Sequence, residues 1–173
     1  MAFIDNSLVF SSAQAITTTA ASTNTYDVAG AGYGNAINQN IGKATVFGED
    51  IGAGDNLISP SVMVDITTTF VGSGASLTIA IQSGVDNGSN AVSTWTTIAD
   101  TGAIPVASLT ASAAPLILRI PPRQPGTGLP RFYRLYYTVT SGPFTAGALS
   151  ASIVTGAPTL NTSIQYPANF TAA

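Results

Sequence analysis

The stretch from residue 131 to 156 constrains the fold most strongly, because apolar side chains recur along it with a period of two. The apolar positions on one face of its two limbs are Tyr133, Leu135, Tyr137 and Val139, then Leu149, Ala151 and Ile153. A strand points successive side chains to opposite faces, so each limb fits a half-buried strand. Ser141-Gly142-Pro143 and Ala146-Gly147 supply turn chemistry between the limbs. The pattern predicts one long β-hairpin.

Similar alternation marks further strands. A pattern over residues 62–70 is followed by Gly72-Ser73-Gly74 and a third pattern over 77–81, which predicts a second hairpin. Asn87-Gly88 predicts a turn before a strand over 92–98. Shorter strands are expected at 8–10, as an edge strand, and at 23–28, 43–47, 104–109 and 116–120. No segment has an apolar period of 3.6 residues, so no helix is expected.

About eight strands separated by turn residues predict an all-β protein, a jelly roll or β-sandwich of antiparallel strands. The expected divisions are an N-terminal arm with the first edge strand at 1–22, a jelly-roll domain at 23–156 and an extended C-terminal tail at 157–173. The core is expected within residues 62–155.

Charge is scarce for a chain with this much apolar material: 8% of the residues are charged and 45% are hydrophobic. A surface with few charges is poorly protected against association. We therefore expect a permanent interface, and specifically a homodimer or homotrimer on a symmetry axis. The net charge of −3 disfavours nucleic-acid binding, which needs clustered Lys and Arg.

The chain has neither cysteine nor histidine. Disulfides, the imidazole base, the cysteine nucleophile and most zinc sites are therefore excluded. No apolar run approaches the roughly 20 residues that cross a bilayer, and no basic region precedes Asp5, so neither a membrane span nor a signal peptide is expected. We expect no enzyme activity and no cofactor.

Two acidic groups suggest chemistry only weakly. Glu49, Asp50 and Asp55 could hold Ca²⁺ or form a carboxylate pair for glycoside hydrolysis, but their spacing departs from the EF-hand and a solvated loop is favoured. Asp86-Asn87-Gly88 could be a Ca²⁺ loop of a lectin, but a hairpin turn explains it without metal. No catalytic or metal site is predicted.

The basic residues are clustered. Four of the five lie within sixteen positions, namely Arg119, Arg123, Arg131 and Arg134. They either contact an anionic partner or pair with scattered Asp side chains. Arginine pairs bidentately and stacks on aromatic rings, and neighbouring tyrosines favour a protein interface. We predict an interface there, together with the apolar N-terminal residues Phe3, Leu8 and Phe10.

Trp95 and the tyrosines allow a second hypothesis, a carbohydrate-binding jelly-roll module of a phage fibre or lectin-like protein. A single tryptophan in a sandwich more often belongs to the core or to an interface.

Three segments, in the same order, resemble the Bbp16-type capsid cement, or decoration, proteins of tailed bacteriophages. They are SLVFSSAQAITTTAASTNTYDV, LTIAIQSGVDNGSNAVSTWTTIADTGAIPVASL and RFYRLYYTVTSGPFTAGALSASIV, and the resemblance covers most of residues 7–155. It implies a structural jelly-roll protein, made in the bacterial host cytoplasm, that coats the outer surface of the virion head. It also implies that the major capsid protein is the partner and that there are no catalytic, metal or cofactor residues to carry over.

The resemblance also implies that the protein clamps neighbouring major capsid subunits. Such a clamp is expected to act by avidity, because contacts to two or more capsid subunits add through effective concentration. Residues 1–12 and 157–173 are expected to reach neighbours as added strands. The arginines from 119 to 134 are expected to set the register.

Overall fold

The computed structural model describes residues 8–27, 60–89, 91–121 and 130–154. It contains ten strands, which are β1 (Val9–Ala15), β2 (Ala20–Ala21), β3 (Tyr26–Asp27), β4 (Ser61–Val71), β5 (Ser76–Asp86), β6 (Val92–Asp100), β7 (Ile104–Pro105), β8 (Leu116–Arg119), β9 (Pro130–Thr140) and β10 (Ala146–Val154). The described part of the chain contains no α-helix, as predicted. The predicted strands at 23–28 and 43–47 lie partly and wholly outside the described residues.

The predicted strand over 104–109 is wrong beyond Pro105. Val106–Ser108 form a 3₁₀ helix. The backbone N–H of Leu109 closes it by donating to the carbonyl of Val106 at 3.0 Å. The turn buries the Leu109 side chain, which is 1% exposed.

The strands form two antiparallel sheets. The first sheet has the order β1-β10-β4-β8, and the second has the order β2-β9-β5-β6, with β3 also on β9 and β7 also on β5. The first and last strands are neighbours, and most connections change sheet. This is the arrangement of a jelly roll, so the predicted fold class is confirmed.

Both predicted β4–β5 and β9–β10 hairpins are wrong. In each pair one strand lies in the first sheet and the other in the second. The loops at 72–75 and 141–145 are therefore arches, which carry the chain across the end of the sandwich. Ala75 and Phe144, each 2% exposed, lie inside these loops, and the Phe144 ring meets Phe70 edge-on with centroids 4.9 Å apart. Crossing the sandwich end buries these side chains.

The β5–β6 connection is a genuine hairpin, at the predicted turn. Asn87 N–H donates to the carbonyl of Ala91 at 2.9 Å, and Gly88 N–H donates to Oδ1 of Asp86 at 2.9 Å. Gly88 has a φ of +85°, a conformation that glycine adopts without strain.

The core fills the space between the sheets. Its fully buried members include Val62, Val64, Leu77, Ile79, Ile81, Leu135 and Leu149. The expected limit of 62–155 is too narrow, because Phe10, Ile16 and Tyr26 are 1%, 0% and 4% exposed and belong to the same cluster. β1 is the edge strand of the first sheet, as predicted, and is an integral part of the sandwich.

Polar contacts also attach this N-terminal segment to β9. The hydroxyls of Ser11 and Tyr137 are 2.7 Å apart, and Ser11 donates to Oε1 of Gln14 at 2.7 Å. Backbone N–H of Leu135 donates to the Ser22 hydroxyl at 3.1 Å. Burial raises the pKa of Tyr137 well above its usual range. The Ser11–Tyr137 bond connects the edge strand of the first sheet to β9 of the second.

Candidate functional site

β9 carries two of the predicted interface arginines, Arg131 near its start and Arg134 further along. Leu135 and Tyr137 are fully buried between the sheets. Strand alternation places Arg134 and Tyr136 on the outer face. The pairing with β5 shifts register between Phe132 and Pro130, which interrupts the alternation at Arg131, and the Arg131 guanidinium packs over the Phe132 ring. Two arginines three positions apart therefore meet different environments.

Arg131 is neutralised within the chain. Its Nε lies 2.8 Å from Oδ1 of Asp27 and its Nη2 lies 3.0 Å from Oδ2 of the same carboxylate, while its Nη1 bonds to Asp86. The Asp27 side chain is 3% exposed and the Arg131 side chain 15%. The hydrogen bonds, first of all the one to Asp27, raise the pKa of Arg131 although burial opposes them. Arg131 thus joins β3, β5 and β9 and belongs to the structure of the fold.

Arg134 is held by neutral groups instead. Its guanidinium carbon lies 4.1 Å from the centroid of the Trp95 ring and 5.3 Å from that of Tyr136. Its Nε donates to Oε1 of Gln82 at 2.8 Å. We call this group of four residues the Arg134 platform. It lies on the outer face of the second sheet, where all four side chains are half-buried.

Strand register builds the Arg134 platform. Gln82 on β5 is directly opposite Arg134 on β9, and Gly84 is directly opposite Trp95 on β6. A Cβ at Gly84 would overlap the side chain of Val92 and would come within 3.3 Å of the Trp95 ring. Glycine at this position therefore lets the two side chains lie close against β5.

Burial lowers the pKa of Arg134, and the charge interaction with Tyr136 opposes this shift. No carboxylate of the described residues forms an ion pair with it. The charge of Arg134 is therefore partly desolvated, oriented and uncompensated within the part of the chain that the structure describes.

The other predicted arginines do not join this group. Arg119 is exposed at the end of β8, in the other sheet, and forms no ion pair with a described residue. It borders a groove of about 430 Å³ between β8 and β6, which Asp100, Ile104 and Leu116 also line. Arg123 lies outside the described residues. The cluster seen in the sequence is thus divided between separate places on the surface.

The apolar N-terminal candidates also separate. Phe10 is 1% exposed and packs in the core, so its assignment to an interface is wrong: the register of β1 directs this ring inward. Leu8 is half-buried and packs against the core from its margin. Phe3 lies outside the described residues.

The acidic candidates provide no site within the described residues. Glu49, Asp50 and Asp55 lie outside that part of the chain. Asp86 uses Oδ1 to accept the Gly88 N–H and Oδ2 to bind Arg131, so both oxygens serve the turn and the ion pair. Across the described ranges, no three His, Cys, Asp or Glu residues are grouped so that they could hold a metal ion.

Sequence reasoning named Arg134 and Trp95 but missed Gln82 and Gly84. Two signals were present: alternation places Gln82 on the outer face of β5, and a glycine inside a strand often marks a close approach. The structure also counts against the carbohydrate hypothesis. The guanidinium of Arg134 covers one face of the Trp95 ring, and a sugar would have to stack on such a face.

The fold is a β-sandwich of jelly-roll type with the Arg134 platform on one outer face. Within the described ranges, no helix is long and apolar enough to cross a bilayer. The family model of Bbp16 matches residues 10–153. The chain therefore belongs to the Bbp16 family, which is phage-associated. A search of curated proteins found no match.

Proposed function

We propose that this protein is a capsid cement protein of a tailed bacteriophage, which binds the outer surface of the head and clamps neighbouring major capsid protein subunits. The Bbp16 match carries this proposal, because it extends over residues 10–153 and so includes nearly the whole jelly roll from β1 to β10. A phage-associated family assignment thus applies to the folded domain itself.

The outer face of the second sheet supports a binding role. Trp, Tyr and Arg are the residue types that dominate the energetics of protein interfaces, and the Arg134 platform combines all three. The jelly roll holds these side chains on the paired strands β5, β6 and β9, so little side-chain order has to be gained on binding.

The mechanism that we propose is avidity. A protein that touches two or more capsid subunits has to leave all of them together, and linked contacts gain about 10²–10⁴ over a single site. The edge strand β8 of the first sheet has one unpaired side within the described sheets, where a partner strand could add.

Because Phe10 belongs to the core, the proposed arm at this end of the chain comprises residues 1–7 only. At the other end, residues 157–173 are the proposed arm. We include a homodimer or homotrimer on a symmetry axis of the shell in the proposal, because the chain has few charges to oppose association.

Heads assembled without this protein provide the test. Purified protein should co-sediment with such heads, appear on their outer surface by cryo-electron microscopy and raise the temperature at which filled heads release DNA. A variant that lacks residues 1–7 is the matched control for the arm, because it keeps every described strand. Protein that leaves heads undecorated at saturating concentration would refute the function, and unimpaired decoration by the truncated variant would refute only the role of that arm.

A further inference from the structure

Arg134 differs from an ordinary surface arginine because its guanidinium contacts two aromatic rings and is hydrogen-bonded at one end. Trp95 and Tyr136 provide the aromatic contacts, at 4.1 and 5.3 Å, and Gln82 accepts from Nε at 2.8 Å. A free arginine side chain has about 2 kcal/mol of rotamer entropy to lose when it is fixed. Here the fold has already restricted much of that freedom.

The contacts leave the far end of the guanidinium available. Nε is used by Gln82, whereas no hydrogen bond or ion pair with the described residues uses Nη1 or Nη2. These two nitrogens carry N–H donors in a fixed plane, and a carboxylate accepts them with its two oxygens in a bidentate pair. Arg131 makes bonds of this kind with the Asp27 carboxylate inside the same protein, through Nε and Nη2.

The surroundings favour a carboxylate over a nucleic-acid phosphate. Binding along a phosphate backbone needs several cations in a row, but Arg131 is already neutralised and Arg119 lies on the other sheet. The chain as a whole has a net charge of −3, which repels polyanions. A single acidic side chain on a protein partner fits one oriented guanidinium flanked by aromatic rings.

We propose that the Arg134 platform binds an Asp or Glu side chain of the major capsid protein, with Nη1 and Nη2 donating end-on to its two carboxylate oxygens. The identity of this partner rests on the proposed function. Trp95, Tyr136 and Gln82 are positioning residues, since they act through Arg134.

The experiment measures binding of the full-length protein to heads assembled without it, using wild type, Arg134→Gln, Arg134→Lys and Arg119→Gln. Circular dichroism and thermal melts establish that each variant is folded. Arg134→Gln should weaken binding by at least about tenfold, as expected for an arginine hot spot. Arg134→Lys should also weaken it several-fold, because lysine keeps the charge but loses the planar pair of donors. Arg119→Gln makes the same charge change outside the platform and should bind within about twofold of wild type.

Salt gives a second readout. Wild-type binding should weaken as NaCl is raised, and the binding of Arg134→Gln should depend less on salt because it lacks the exposed ion pair.

Several results would overturn the inference while leaving the function intact. These are wild-type affinity in Arg134→Gln, full rescue by Arg134→Lys, or an equal loss in Arg119→Gln, which would indicate a response to net charge alone. A change of oligomeric state in Arg134→Gln with unchanged head binding would assign the platform to a second copy of this chain and would also overturn it. Wild-type protein that does not bind heads would instead refute the proposed function.

Discussion

The two described arginines of β9 differ in their partners: two carboxylates bind Arg131, whereas two aromatic rings and an amide hold Arg134. Arg131 has both of its carboxylates supplied by the chain, with Asp27 only 3% exposed. Arg134 on the outer face is held by Trp95, Tyr136 and Gln82, with no carboxylate among the described residues. Removing the first should therefore affect stability, and removing the second should affect binding.

Arg131→Met is the strongest test of this difference. It leaves the buried Asp27 without its cation, and loss of one partner from a buried pair costs about 3–5 kcal/mol. Because Arg131 is itself partly exposed, we expect a loss of about 3 kcal/mol in the free energy of unfolding, measured by urea titration.

The double variant Arg131→Met with Asp27→Leu is the control, because it removes both charges and should recover part of the loss. Unfolding of Arg131→Met within about 0.5 kcal/mol of wild type would show that the Arg131–Asp27 ion pair does not support the fold.

Alkaline pH should lower stability through Tyr137, which lies on the buried side of β9. Burial raises the folded-state pKa of Tyr137 above the value of about 10 in the unfolded chain. The folded state therefore holds this proton more tightly, so the contribution is fully present below about pH 10 and is lost as pH rises through the folded pKa. The loss approaches about 1.4 kcal/mol per pH unit above pH 10.

Urea titrations of wild type and Tyr137→Phe between pH 9 and about 11.5 measure this loss, since the remaining tyrosines titrate in both proteins. Parallel curves for the two proteins would contradict the assignment to Tyr137.

At neutral pH, Tyr137→Phe should lower the free energy of unfolding by about 1–2 kcal/mol, because the buried Ser11 hydroxyl loses a partner at 2.7 Å. Tyr136→Phe is the matched change on the outer face of the same strand. It should alter stability by less than about 0.5 kcal/mol, the usual range for surface substitutions. Equal effects of the two variants would remove the distinction between the two sides of β9.

A small effect on stability is also expected for Arg134→Gln. Half-exposed cation–π contacts contribute about 0.5–1 kcal/mol, so the midpoint of urea unfolding should shift only slightly. A loss as large as that of Arg131→Met would mean that the platform is needed for folding.

Much of the inner and outer distinction could be predicted from sequence. The alternation through Tyr133, Leu135 and Tyr137 predicted which side of β9 is buried, and the burial of these residues confirms it. The same pattern could not show that the loops at 72–75 and 141–145 are arches, because Gly and Pro occur in an arch as well as in a hairpin. Phe144, an apolar ring within a turn, was the one local sign that the loop at 141–145 crosses a sandwich end.

The position of Phe10 shows a second limit. The sequence places it in an edge strand at the start of the chain, where a role in an interface is plausible. Register shifts between Val9 and Ser11 and between Ser11 and Gln14, with a positive φ of 45° at Ala13, determine which side chains of β1 turn inward. Such bulges depend on the pairing with β10, far along the chain.

By itself, then, the sequence determined the all-β class, the buried side of β5 and β9 and the turn at Asn87-Gly88. These properties follow from backbone geometry over a few residues, where the side-chain period of two is set locally. Only the tertiary structure decided which strands share a sheet, that Arg131 meets Asp27 across 104 positions of sequence, and that Arg134 meets Trp95 instead of a carboxylate. Those outcomes depend on long-range strand pairing, since the energy of a charged side chain is set by the groups that the fold brings beside it.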